Sequence, residues 1–132
     1  MLGAHLAGAA IEASMLGAAH ACANPLTSRH EIPHGAAVLL MLPHVVRFNE
    51  PVAGPSYADL LAAAAPAVPG SLAALLEQLR GLAGLPCRLR DCGVPEAELP
   101  VLAGEAAQQW TASFNPRPVT EPDLLRLYEL AY

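Results

Sequence analysis

Apolar residues along this chain recur at helical spacing, and no stretch alternates apolar and polar positions over strand length. From Leu2 to Ala23 nearly every residue is a good helix former. Small residues at Gly3, Ala7, Ala10, Ser14, Gly17, Ala18 and Ala21 fall three or four apart, a stripe that lets another helix approach closely. Asn24 and Pro25 are expected to stop this helix, since the residue before a proline is pushed out of helical geometry. A short polar turn, Leu26 to Pro33, follows. From His34 to about Phe48 the residues Ala36 to Leu42 are apolar on every side, the pattern of a helix buried all round, and Pro43 should kink or end it.

After a loop from Asn49 to Pro55, Ser56 with Asp59 three residues on reads as a capping box for a short helix that dies at Pro66. Pro69 and Gly70 give a turn. Ser71 then caps an amphipathic helix with Leu72, Leu75, Leu76, Leu79 and Leu82 at helical spacing, ended by Gly84 and Pro86. Gly93 and Pro95 open a further helix expected to reach about Thr111. A rigid loop from Ser113 to Val119 precedes a last helix capped by Thr120 with Asp123. The expected architecture is all-α, a bundle of about six helices with one or two kinked. Residues 1–132 read as a single helical domain without internal repeat.

Composition sharpens this picture. Hydrophobic residues make up 54% of the 132 and charged residues only 14%, so either the core is large for the length or some apolar surface is meant to be covered from outside. A membrane is not the expected cover, because no run of about 18 apolar residues lacks charge. A net charge of −5 without a Lys/Arg cluster argues against a nucleic-acid surface. Arg80, Arg88 and Arg90 read as solvated helix-end and loop charges. Cys22, Cys87 and Cys92 form no C-x-x-C pair, which points to reduced, mostly buried thiols in a cytoplasmic protein.

Histidine carries the candidate chemistry, since three of five crowd into positions 20 to 34. His20 is expected on the last turn of the first helix, with Asn24 four residues on along the same face, and His34 at the start of the next helix. Two antiparallel helices joined by a short turn would bring those ends together. Neutral imidazoles from facing helices are ordinary ligands for a divalent metal, but a lone histidine on an apolar helix is more often a core residue or a cap. Two ligands are also fewer than a catalytic site takes. His5, His30 and His44 read as structural or surface residues.

The wording around these histidines is more specific. Gly17-Ala18-Ala19-His20-Ala21-Cys22-Ala23-Asn24-Pro25-Leu26 is followed by Ile32-Pro33-His34-Gly35 and by Leu42-Pro43-His44-Val45-Val46-Arg47-Phe48-Asn49. This resembles the signature of the iron-containing (group III) alcohol dehydrogenases, G-x-x-H-x-x-A-H-P-L, a turn, P-H-G, an apolar helix and L-P-x-V-x-x-x-N. The resemblance continues through Tyr57-Ala58-Asp59-Leu60, Leu85-Pro86, Leu89-Arg90-Asp91, Gly93-Val94-Pro95 and Asn115-Pro116-Arg117-Pro118, and so covers essentially the whole chain in order.

The resemblance implies the C-terminal, dehydroquinate synthase-like helical domain of such an enzyme. In that family the first and last histidines of the signature, matching His20 and His34, are two of four protein ligands to the catalytic Fe2+ or Zn2+, which polarises the alcohol or carbonyl oxygen for hydride transfer with NAD(P). A second histidine faces the nicotinamide and relays a proton, and that position is Asn24 here. Asn can orient a substrate or water but cannot exchange a proton near neutral pH. The family's other two ligands, an Asp and a His, precede this stretch, as does the α/β domain with its glycine-rich pyrophosphate turn. The chain is therefore expected to be a truncated frame or one half of a split enzyme, inactive alone, with the Asn115 to Pro118 loop helping Asn24 to shape the pocket. Its expected partner is an N-terminal α/β domain or subunit, and its exposed apolar surface makes a homo-oligomer a further expectation. The competing expectation is a non-catalytic helical interaction module descended from that domain.

Overall fold

The computed structural model describes residues 1–64 and 70–132, and the readings at Pro66 and Pro69 lie outside them. Among the described residues there are six α-helices and no strand. They are α1 (Leu2–Ser14), α2 (Ala18–His30), α3 (His34–Ala64), α4 (Leu72–Leu82), α5 (Leu99–Ala107) and α6 (Glu121–Ala131). Short 3-10 turns at Leu89–Cys92, Glu96–Glu98 and Trp110–Phe114 fill the links around α5. The all-α expectation holds, and the caps at Ser71 and Thr120 do what their spacing implies. Ser71 Oγ accepts from the Ala74 N–H at 3.2 Å, and Thr120 and Asp123 close a reciprocal capping box.

Four boundaries differ from the sequence reading. The first helix is not continuous. It breaks at Met15–Gly17, where Met15 takes φ 60°, and α2 leaves at 106° to α1. At Gly17, just after the break, an added Cβ would stand 3.2 Å from Asn115 Oδ1, so the glycine gives the start of α2 room to lie close against that distant loop. Pro25 does not stop α2, which runs on to His30 and ends when Glu31 enters the left-handed region. Pro25 itself is buried, and packing it offsets the one helical N–H that it lacks. Residues 49–55 are likewise helical, so α3 spans 31 residues with Pro43, Pro51 and Pro55 inside it, and no cap forms at Ser56. The helix expected after Gly93 starts only at Leu99 and gives way after Ala107.

The core is built from one face each of α2, the first half of α3, α5 and α6. Cys22, Leu26, Leu40, Met41, Leu102, Leu124 and Tyr128 are essentially sealed from solvent. Each such Leu stabilises the fold by about 1.5–3 kcal/mol relative to an exposed one. Tyr128 fits because its hydroxyl donates to the Cys22 carbonyl at 2.7 Å, leaving no polar atom stranded. In α4 the buried positions are Ala73 and Arg80, not the leucine stripe, and Leu79 and Leu82 stay exposed. The helix is turned so that Glu77 meets Arg47 of α3 in a two-pronged ion pair at 2.7 and 2.8 Å. α1 buries none of its residues and exposes Leu2, Leu6 and Ile11. Among the described residues no single helix is long and apolar enough to cross a membrane.

Candidate metal centre

His20 sits on the first turn of α2, not on the last turn of a preceding helix, and His34 is the first residue of α3. The two would be far apart in a simple hairpin, since ten helical residues from His20 to His30 cover about 15 Å. The link closes that distance. Glu31 turns at φ 54°, buried Ile32 pins the chain to the core, and Pro33 starts α3 by accepting from the Ala37 N–H. The start of α3 is thereby folded back along α2. The His20 and His34 rings lie with centroids 5.3 Å apart and planes inclined at 49°.

That spacing suits a shared ion. Two imidazoles on neighbouring corners of a tetrahedral ion bound at about 2.0–2.1 Å have ring centroids about 5 Å apart. Burial, and secondarily the neighbouring His34, hold the His20 imidazole below its usual pKa, which favours the neutral form a ligand needs. His34 is exposed, so an open side remains. Among the described residues no third His, Cys, Asp or Glu joins the pair. His5 lies exposed on α1, His30 stands 3.3 Å from Glu98, and half-buried His44 faces Arg47 and Glu77.

Asn24 follows His20 by one turn of α2. Its Nδ2 donates to Gln109 Oε1 at 2.9 Å, and both line an open groove of about 430 Å3 with Pro25, Ser28, Glu105 and Gln108. Nothing in the sequence marked Gln109, since a Gln108-Gln109 pair within a helix expected to reach about Thr111 has no chemical signature.

Asn115 lines a cleft of about 480 Å3 together with Gln109, Pro116 and Pro118. Its amide is buried, exchanging two hydrogen bonds with buried Asn49 of α3 at 2.7 and 3.0 Å. It also accepts from the Ala18 N–H at 3.3 Å and donates to the Arg117 carbonyl at 2.6 Å. Arg117 stacks 3.9 Å over the Phe48 ring and donates to the Phe48 carbonyl. The loop thus ties α3 to the first turn of α2, which carries His20.

A helical bundle presenting paired imidazoles at a helix junction is the class that fold and site define. Residues 1–132 match the C-terminal model of the Fe-containing alcohol dehydrogenase family, and the chain belongs to that family. It is similar to the lactaldehyde reductase of Escherichia coli K12, with 34% identity over 99% of this chain and 36% of that protein. The 1,3-propanediol dehydrogenase of Klebsiella pneumoniae is 32% identical over 96% of this chain and 35% of its own. Among solved structures, an alcohol dehydrogenase from Oenococcus oeni superposes with a TM-score of 0.85 at 27% identity, covering 96% of this chain and 35% of that one. A 1,3-propanediol oxidoreductase gives 0.81 at 30%, covering 89% and 33%. The chain spans about a third of the length of these relatives.

Proposed function

We propose that residues 1–132 form one helical unit, the metal-holding part of an NAD(P)-dependent alcohol or aldehyde oxidoreductase, in which His20 and His34 are two of the protein ligands to Fe2+ or Zn2+. The observation that carries this reading is the approach of the two imidazoles, from α2 and α3, to 5.3 Å. When bound, such an ion supplies Lewis-acid polarisation of an alcohol or carbonyl oxygen. The chain's own residues do the rest of the positioning. Asn115 and Gly17 fix the first turn of α2, Ile32 and Glu31 fix the start of α3, and Asn24 borders the site with an amide that orients a ligand without exchanging a proton. Relatives named for lactaldehyde and 1,3-propanediol support short alcohols and aldehydes as the substrate class.

Two imidazoles fill half of a four-coordinate shell. The remaining ligands and the nicotinamide site belong to an N-terminal α/β part, joined to this chain or associated with it, and the 132 residues alone are inactive. Its three free cysteines accord with a cytoplasmic protein.

The test is metal analysis by atomic emission after equilibrium dialysis against Zn2+. The full chain should bind weakly, and His20→Ala and His34→Ala should each abolish binding, while His5→Ala and His30→Ala leave it unchanged. Assays with NAD+ or NADP+ and 1,2-propanediol should show no turnover. Metal binding that survives both His20→Ala and His34→Ala refutes the assignment. One observation favours a second reading, an interaction module: α1 buries nothing while exposing Leu2, Leu6 and Ile11. Under that reading the chain binds no metal at this pair.

A further inference from the structure

We propose that the cleft between α3 and α6 is a second ligand site, separate from the imidazole pair, which takes a small monocarboxylate with an apolar body. His44 and Arg47 hold the carboxylate, and the unpaired guanidinium of Arg80 supplies the charge that makes the site prefer an anion. The site does not depend on the metal-centre reading.

Arg80 reads from sequence as a solvated charge, yet it is 7% exposed, and its Nε and Nη1 have no partner among the described residues. A buried cation is ordinarily paired, because leaving water is costly and only a nearby opposite charge offsets that cost. Ala73, Glu77 and Arg80 are spaced four and three apart on one face of α4, which packs on α3. Glu77 is thus one turn from Arg80, but it is taken by Arg47, which it meets at 2.7 and 2.8 Å. Glu50, which also bears on Arg47, is exposed and weakened by water. Arg80 therefore leaves one surplus positive charge against α3. That charge reaches the cleft: after burial and Arg47, Arg80 also lowers the pKa of His44, and His44 forms part of the cleft wall.

The cleft has a volume of about 490 Å3, within the range of small-molecule pockets. Phe48, Leu127 and Leu130 give it apolar walls. Its other charges are engaged locally. Arg126 meets Glu129 at 3.0 Å, and Asp123 accepts from the Thr120 N–H at 2.9 Å in the cap of α6. Glu77 uses two of the five Arg47 donors, so the others remain for a ligand, and half-buried His44 adds an imidazole N–H. One surplus charge suits a monoanion. A phosphate dianion would stay partly uncompensated, and a neutral molecule would leave Arg80 without a counter-charge. The apolar walls then call for an apolar body behind the carboxylate. His44 is ten residues beyond His34 on α3, about 15 Å along the helix, which sets this site apart from the imidazole pair.

The test adds octanoate to the full chain, with octanamide as its uncharged match and acetate as the charge without the body. Edited NMR follows the His44 ring and the Leu127 and Leu130 methyl groups. Octanoate should shift all three to one end point at one molecule per chain, leave the His20 and His34 rings unmoved, and bind at least about tenfold more tightly than either control. Arg80→Met should weaken octanoate about tenfold, the loss of one charge close to the carboxylate, and leave the octanamide response as it was. Leu130→Glu, at an exposed position on the rim, should also weaken octanoate. Equal binding of octanoate and octanamide, an unaltered affinity in Arg80→Met, or shifts centred on His20 and His34 overturns the proposal. The comparison of the three ligands uses the unsubstituted chain, so it decides the matter even where a variant fails to fold.

Discussion

Asn115→Ala should be among the most damaging single changes in the chain, although Asn115 is not an apolar core residue. Asn49 is 3% exposed and has both ends of its amide satisfied by Asn115. Truncation strands a buried donor and a buried acceptor on Asn49, each costing about 1–3 kcal/mol, and also frees the Ala18 N–H. Partial relaxation and entry of water reduce the sum, leaving about 3–5 kcal/mol. That is a large part of the 5–15 kcal/mol typical of a domain. The double variant Asn49→Leu with Asn115→Leu removes both polar partners at once and should cost at least about 1.5 kcal/mol less than the two single leucine variants added together. Urea unfolding followed by circular dichroism at constant m-value measures all of these. A loss below about 1 kcal/mol for Asn115→Ala, or single effects that add within about 0.5 kcal/mol, refutes the reasoning.

Burial lowers the imidazole pKa of both His20 and His44, aided at His44 mainly by Arg47. The unfolded chain therefore binds more protons, so the stability these residues confer is complete above about pH 6.5 and is lost as pH falls through their lowered folded values. Urea midpoints should drop between pH 6.5 and 5, and His44→Gln should flatten the slope; a steeper slope counts against it. Arg80 is 7% exposed and its Nε and Nη1 have no partner among the described residues, so Arg80→Met should leave the thermal midpoint unchanged or raised. A fall of more than about 4 °C contradicts this. A thiol reagent should modify exposed Cys87 first and spare Cys22, whose thiol is sealed and pushed up to about 12 until the chain unfolds. Labelling of Cys22 at the rate of Cys87 in the native state would falsify the buried placement of α2.

The helical class was legible because it depends on local pattern: leucine and alanine spacing, and caps such as Ser71 and Thr120 whose partners lie three residues away. The proline-based boundaries were not. Pro25 read as a stop, Pro43 as a kink or end, and the stretch from Asn49 to Pro55 as a loop, yet Pro25, Pro43, Pro51 and Pro55 all lie within helices, since local propensity yields where flanking turns pack well, as around buried Pro25 and Pro43. The bend before α2 was equally hidden, and the start of α2 just after it lies against Asn115, almost a hundred residues away. At the site, His20 and His34 could be named from the motif, but their approach depends on Glu31 leaving helical geometry and on Ile32 being buried. Neither feature is written in spacing. Gln109 and the Asn49–Asn115 pair are non-local contacts between uncharged amides, which leave no pattern in a single sequence.

The central claim is that His20 and His34 share one divalent ion, and the most direct measurement is a Zn2+ titration of the full chain observed at the imidazole resonances of its five histidines. The account expects the His20 and His34 signals to move together to a single end point at one ion per chain, with His5, His30 and His44 unmoved. Independent responses of His20 and His34, or saturation at a different histidine, would contradict it.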